Sequence, residues 1–530
     1  MSQPSKKQSF LHGTALLALA AAVVKVIGAL YKLPLNAIIG EQGFGYFNTA
    51  YEIYNVMLTI SVAGLPVAMS RMISQANALG HYNQVRRTYT TARAIFLALG
   101  ISGSLLMVLL SKQLAQFQEQ PDAWACIAAL GPATLLICMM ATYRGFFQGQ
   151  SNMQPTATSQ MLEAVVKLIV GMVAAIAVLK LTNSIPYAAA GAIFGVTFSC
   201  LVSTLYLAAR HRKAKQDLPA SDEPVLSYGT TAKQLLSVAI PITIGSAGLS
   251  ILTMLETKVY MGNLLGLGFA QGQADTMKGI YDMCKTIFNM PIAFITPITV
   301  SIIPAITAYM TQGDHANARG TAESAVRIAG LICAPCAVGL AVLARPVTSL
   351  LGGYTGANLD LATTLMCLRS IGMVFYAVVM VTNAMMQSHG HANLPVVNML
   401  IGGTLKLTAT YILTSNPNIG IIGAPIGTVL GDITIMSLNV LTMKRCVPNP
   451  PAVLYQLLRS ILSAVLMGVC VFGCYYCLRL LTDSRLILCG APIVVGVAVY
   501  AVAAIKLRAI TRGDCLLLPK GEKIANLLRL

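Results

Sequence analysis

The sequence predicts an all-α, polytopic membrane protein of fourteen transmembrane helices, built as two six-helix lobes in parallel repeat plus two C-terminal helices. Three observations predict it. The chain is 530 residues long, 56% hydrophobic and only 10% charged, and apolar stretches of about 20 residues recur from end to end, each long enough to cross ~30 Å of hydrocarbon. Lysine and arginine gather in alternate connections between those stretches. Two lysines, Lys167 and Lys406, interrupt apolar runs at matched places in the two halves. Helices satisfy their own backbone in lipid, and runs this continuous do not fit the alternating strands of a barrel.

In order, the expected spans are 10–33, 46–75, 91–111, 124–147, 159–180, 186–209, 234–260, 277–309, 322–344, 360–387, 394–414, 420–443, 455–480 and 486–508. The first follows Lys6 and Lys7 as a secretion signal would. It carries Lys25, however, runs on into Tyr31-Lys32-Leu33-Pro34, and has no small-residue cleavage site, so it reads as an uncleaved span. The odd-to-even connections 35–45, 261–276 and 414–418 are nearly free of Lys and Arg. The even-to-odd ones hold Arg86, Arg87, Arg212, Lys213, Lys215, Arg319, Lys444 and Arg445. Positive charge marks the cytoplasmic side, which places both termini there, in a cytoplasmic membrane. Arg479 and Arg485, before the last span, run against the pattern.

The net charge of +18 is accounted for by these clusters and by the basic tail from Lys506 to Arg529, so no nucleic-acid partner is expected. Most of the thirteen cysteines lie in apolar runs, including the pairs Cys333/Cys336 and Cys474/Cys477, where Cys packs as a small apolar side chain. His389-Gly-His391 is a weak metal motif in a short loop, and neither a metal nor a cofactor is expected. Gly266-Leu-Gly268 follows no strand, and no Walker A sequence occurs, so the chain reads as a transporter and not an enzyme.

The long polar stretch 210–233, with Pro219, Ser221, Asp222, Glu223 and Pro224, divides the chain. The expected domains are an N-terminal lobe 1–210, a linker 211–233, a C-terminal lobe 234–445, and the final helix pair with its tail, 446–530. Gln148 and Lys167 match Gln387 and Lys406 at an offset of 239 residues; Pro155 and Pro395 match at 240, and the Pro66 and Pro304 segments at 238. Six spans per half in the same orientation mean a parallel repeat.

The charges inside the spans carry the functional expectation. An ammonium at bilayer depth costs ~2.5–3.5 kcal/mol on insertion scales, so a chain that accepts it twice in register uses it on something anionic. Lys25 and Lys32 are seven apart and share a helical face. With Arg71, Arg144, Lys167, Lys258, Lys285 and Lys406 they form a candidate cationic cavity suited to phosphate or pyrophosphate. The plainer reading pairs Glu163 with Lys167 and Asp282 with Lys285 along their helices, and lets Arg71 and Arg144 snorkel to headgroups. Glu52, Glu163, Glu256 and Asp282 are the acidic, coupling candidates; Asp432 is a further intramembrane acid.

The stretch Lys25-Val-Ile-Gly-Ala-Leu-Tyr-Lys-Leu-Pro-Leu-Asn-Ala-Ile-Ile-Gly, then Gly45-Tyr-Phe-Asn-Thr-Ala-Tyr-Glu-Ile-Tyr, Ala63-Gly-Leu-Pro-Val-Ala-Met-Ser and Phe146-Phe-Gln-Gly, resembles a known family. It is the stage V sporulation protein B / MurJ-type branch of the multidrug/oligosaccharidyl-lipid/polysaccharide exporter superfamily. The resemblance implies a flippase for an undecaprenyl-pyrophosphate-linked saccharide, with the peptidoglycan precursor lipid II first. It further implies alternating access of two lobes around a cationic cavity, with a groove for the polyprenyl tail at the last two helices. Lys25 matches a basic position of the family motif; Tyr31-Lys32 stands where the Gram-negative branch has Arg-Asp. The implied partners are the lipid-linked oligosaccharide and the bilayer, with cell-wall synthesis enzymes as further candidates. The alternatives are a flippase for another polysaccharide unit and a cation-coupled multidrug antiporter.

Overall fold

The computed structural model describes residues 10–510 apart from 217–218, 220–222, 392, 448 and 483, so most of the basic tail lies outside the described residues. The described chain folds into helices joined by short turns. Its first element, α1 (Phe10–Val62), consists of two helical arms that meet at a kink, with no polar loop between them where 35–45 was expected to connect spans one and two. The turn is made at Gly40, whose φ of 68° is a conformation open to glycine and costly for a residue with a Cβ. α2 (Leu65–Ala78) follows after a short break, with Pro66 in its first turn, where a missing N–H costs nothing.

The remaining elements of the first half are α3 (Tyr82–Leu109), the short α4 (Ser111–Phe117), a 3₁₀ turn at Pro121–Ala123, α5 (Trp124–Gly149), α6 (Gln154–Thr182) and α7 (Ile185–Gln216). After the linker come α8 (Tyr228–Gly266), α9 (Gln271–Ile292), α10 (Ile295–Thr311), α11 (His315–Val342), the short α12 (Ala344–Leu351) and α13 (Gly356–Ser388). α14 (Asn393–Thr414), a 3₁₀ turn at Gly420–Ile422, α15 (Gly423–Cys446), α16 (Val453–Arg479) and α17 (Arg485–Lys506) complete the chain. The order long, short, long, long, long in α3 to α7 recurs in α11 to α15, as the repeat predicts.

Among the described residues twelve helices are long and apolar enough to cross a membrane, where the sequence suggested fourteen spans. That number takes Leu30–Ala78 as one stretch across the kink at Gly40, although α1 has two arms there. It leaves out the expected span 277–309, which divides into the charge-rich α9 and the 17-residue α10.

The helices gather into two compact units, one of Met1–Gly262 with Ala270–Gly279, the other of Asn263–Phe269 with Ile280–Leu530. In the first, α6 packs along α7 through small residues, Gly171 against Gly195 and Ala174 against Gly191. Such pairs let backbones close up where lipid supplies no hydrophobic drive. Tyr31, Phe44 and Phe47 of α1, Phe96 of α3 and Phe146 of α5 are fully buried at its centre. Ile169, Val173, Phe194 and Leu205 are exposed on α6 and α7, as residues facing acyl chains should be.

In the second unit α11 packs on α13 and α16, and α16 on α17. Glu323 of α11 accepts hydrogen bonds from the Ala452 backbone N–H at 3.3 Å and from Gln456 Nε2 at 3.0 Å, while Arg327 donates to Gln456 Oε1 at 2.8 Å. The C-terminal pair is thereby anchored at the N-terminus of α16, where a carboxylate also complements the helix dipole.

Candidate functional site

In the first unit α5 and α6 bring Arg144 to Glu163, with Nη2 and Oε2 3.1 Å apart and Nε on Ser159 Oγ at 3.0 Å. The expected Glu163–Lys167 pair gives way to this one. A guanidinium offers a fork of donors and outcompetes an ammonium one turn along the helix. Among the described residues Lys167, half-buried on α6, makes no ion pair.

Lys32 donates to Asn48 Oδ1 at 3.0 Å and stands about 6 Å from the ring centres of Phe44 and Tyr51. Lys32 and Asn48 lie on opposite sides of Gly40, so the contact ties the two arms of α1 together. Lys25 lies two turns earlier on α1; its side chain is outside the described residues. Arg71 is exposed on α2. Lys258 of α8 donates to the Phe117 carbonyl at 3.1 Å, lies 4.0 Å from that ring, and is 4.0 Å from Glu119. There it serves the carbonyl end of α4. Glu256, also on α8, is buried.

Glu52 of α1 faces a residue that the sequence reading missed. Lys278 is 0% exposed, with its Nζ 3.9 Å from Glu52 Oε1. Its signal was present: Asp275, Lys278, Asp282 and Lys285 follow at steps of three, four and three, one face of α9 with alternating charge. Reading 261–276 as a loop cut this stripe in two. Further along it, in the second unit, Asp282 and Lys285 pair at 2.6 Å as the spacing predicted, with Lys285 5.0 Å from the Tyr281 ring.

The second unit holds another missed group. Arg369 of α13 pairs with Asp432 of α15 at 3.3 Å, their side chains 9% and 10% exposed, and the guanidinium lies 3.6 Å from the centre of the Phe288 ring. No local spacing joins positions 63 residues apart, so only packing reveals the pair. Lys406 is half-buried on α14, its stem against Gly431, next to Asp432. Beyond it Asn398, Asn439, Asn383 and Thr382 link α13, α14 and α15 by amide and hydroxyl hydrogen bonds of 2.8–3.0 Å.

The second unit also has a cavity of about 700 Å³, open along one side and well within the range of ligand sites. α9, α11 and α12 line one part and the C-terminal pair another, through residues such as Met290, Leu331, Leu340, Met467 and Val497. Its wall is almost wholly apolar. The chain thus combines charged side chains buried among its helices with an apolar cavity beside its last two helices.

A family model described as "Polysaccharide biosynthesis protein" matches residues 10–310. Stage V sporulation protein B of Bacillus subtilis (strain 168) is 27% identical over 448 residues, covering 83% of this chain and 85% of that protein. The lipid II flippase MurJ of the same organism is 23% identical over 478 residues, 87% of each. A solved structure of the lipid II flippase MurJ in an inward closed conformation superposes with a TM-score of 0.69 at 15% identity, over 93% of this chain and 99% of that one. The chain therefore belongs to the polysaccharide biosynthesis protein family, as a polytopic membrane transporter with the helical fold of the MurJ structure.

Proposed function

We propose that this chain is a flippase that moves an undecaprenyl-pyrophosphate-linked saccharide, lipid II in the first place, across the cytoplasmic membrane by alternating access. The observation that carries the reading is the apolar cavity of about 700 Å³ bounded by α16 and α17, in a chain that also keeps cations at membrane depth. A substrate with one long hydrocarbon tail and an anionic, sugar-bearing head needs both. The tail stays in an apolar environment throughout, and the head needs a polar, cationic path across ~30 Å of hydrocarbon.

In this reading Lys25, Lys32, Arg71, Lys167 and Lys406 meet the pyrophosphate. Arg144, Lys258 and Lys285 exchange Glu163, the Phe117 carbonyl and Asp282 for substrate oxygens as it passes. Glu52, Glu163, Glu256 and Asp282 balance charge between the loaded and empty states. The connections rich in Lys and Arg, with both termini, face the cytoplasm. The family's description as polysaccharide biosynthesis proteins also supports a second reading, a flippase for another polysaccharide unit.

The test is complementation of a strain depleted of its lipid II flippase by the parent chain and by Lys25→Ala and Lys406→Ala, with lipid II at the outer surface measured directly. Rescue by the parent that is lost in the variants at equal expression is the expected result. No rescue by a well-expressed parent moves the substrate to another polysaccharide unit, and rescue by all three removes the lysines from the path.

A further inference from the structure

Residues 270–279, the first turns of α9, count with the first unit, although the chain on both sides of them counts with the second. The segment is held by one close backbone approach and a set of polar contacts. Gly279 lies so close to α1 that a Cβ would run into the Glu41 carbonyl oxygen. Across that close approach the ties are polar: Gln42 Nε2 donates to the Gly272 carbonyl at 3.0 Å, and Gln271 Nε2 to the Glu119 carbonyl at 2.7 Å.

At the centre stands Asp275, 1% exposed. One of its oxygens accepts from Tyr46 OH at 3.0 Å; the other accepts from Gln120 Nε2 at 2.9 Å and Gln271 Nε2 at 3.0 Å. All three donors are neutral. The charged groups around it do not supply a counter-ion. Asp122, on the 3₁₀ turn, reaches the same Tyr46 hydroxyl at 3.5 Å and adds negative charge. Glu119 is engaged by Lys258 of α8, and Lys278, one turn along α9, faces Glu52 of α1. Among the described residues Asp275 makes no ion pair.

We propose that Asp275 is a proton-binding site, and that the protonated carboxyl holds the 270–279 segment on the first unit. A carboxylate buried among neutral donors is an unfavourable place for charge. The two glutamine amides present either a donor or an acceptor, so the same cage serves a carboxylic acid once an amide turns over. Asp275 lies just before the stretch read as span 277–309. Burial pushes its carboxyl above the usual range, and the bonds from Gln120, Gln271 and Tyr46 offset only part of this.

The sign follows by linkage. The held state binds the proton more tightly than a released, hydrated Asp of pKa ~3.9, so acid stabilises the held state, and that gain is lost as pH rises through the raised value. Each unit between the two values changes the ratio of held to released about tenfold. The inference rests on the proposed orientation only for the side from which the proton comes, which is the exterior. The experiment below needs no substrate, so its failure leaves the flippase reading standing.

The full chain in nanodiscs, with a trifluoromethyl-phenylalanine at the exposed Gln273, is followed by fluorine NMR from about pH 4 to about pH 8, a range that starts at the ordinary carboxylate value. The expected result is one resonance in acid and a second that grows as pH rises. Asp275→Asn, a permanently neutral isostere, is expected to keep the acid resonance throughout. Should that variant fold poorly, Tyr46→Phe removes a donor that favours the ionised form, and its midpoint is expected to move to higher pH. A pH-independent parent spectrum, an unaltered titration in Asp275→Asn, or an unmoved midpoint in Tyr46→Phe each overturns the proposal.

Discussion

Replacing Asp432 by Asn tests whether the Arg369–Asp432 pair is structural or belongs to the substrate path. The change keeps the shape and an acceptor oxygen but removes the charge that faces Arg369 at 3.3 Å. Opposite unit charges at this distance attract by ~5 kcal/mol at an effective dielectric constant of ~20. The asparagine oxygen still accepts a hydrogen bond worth ~1 kcal/mol, and the stacking on Phe288 is untouched. The net loss is therefore ~3–4 kcal/mol, in line with the ~3–5 kcal/mol typical when one partner of a buried pair is removed.

The assay is the midpoint of heat denaturation of the detergent-solubilised protein, read by size-exclusion chromatography after heating. Asp432→Asn is expected to lower it by several degrees. The double variant Arg369→Met with Asp432→Leu is expected to regain most of the loss, since apolar replacements of a buried pair are often neutral or better. It should also retain transport, because neither residue was assigned to the headgroup path. A single variant as stable as the parent, or a double variant no better than the single, would refute the electrostatic account. A stable double variant with no transport would place Arg369 among the substrate's ligands instead.

Two further outcomes follow. Leu340→Trp places an indole in the apolar cavity of about 700 Å³, which has room for it without overpacking; transport is expected to fall at least tenfold by the outer-surface lipid II assay while the denaturation midpoint holds, and full transport would remove the tail from this cavity. Asp314 caps α11, accepting from the Asn317 N–H at 3.0 Å and from Asn317 Nδ2 at 2.6 Å, and those bonds hold its carboxyl below the usual range. Its stabilising effect is thus present above the ordinary pKa and lost as pH falls through the lowered one; Asp314→Ala should speed hydrogen exchange in the first turn of α11, Asp314→Asn should not, and equal rates in both would exclude the cap.

Much of the candidate site was legible because its signal is local. Asp282 and Lys285 meet as their spacing of three requires, and Lys167 and Lys406 sit on corresponding helices, α6 and α14, as the repeat predicted. Where two local partners compete, spacing alone misleads. Glu163 had Lys167 one turn away, yet it bonds Arg144 from α5, because α5 packs where its guanidinium reaches the carboxylate from the side. α9 failed for the opposite reason. Its charges lower its hydropathy below that of a span, so a window average treats a buried helix with a charged stripe as part loop.

The sequence by itself determined the class of molecule, its helical content, the internal repeat and the family, since these depend on composition and on residues a few positions apart. Solvent and lipid act on every window of the chain alike, so such features survive without knowledge of the fold. Only tertiary structure decided which charges are neutralised: Arg144 by Glu163, Lys278 facing Glu52, Arg369 by Asp432. It also decided that α1 turns at Gly40 without a loop, and that a cavity lies beside the last two helices. These three ion pairs and the cavity exist only because side chains far apart in sequence converge, and in a protein interior poor in water that convergence sets the charge each site presents.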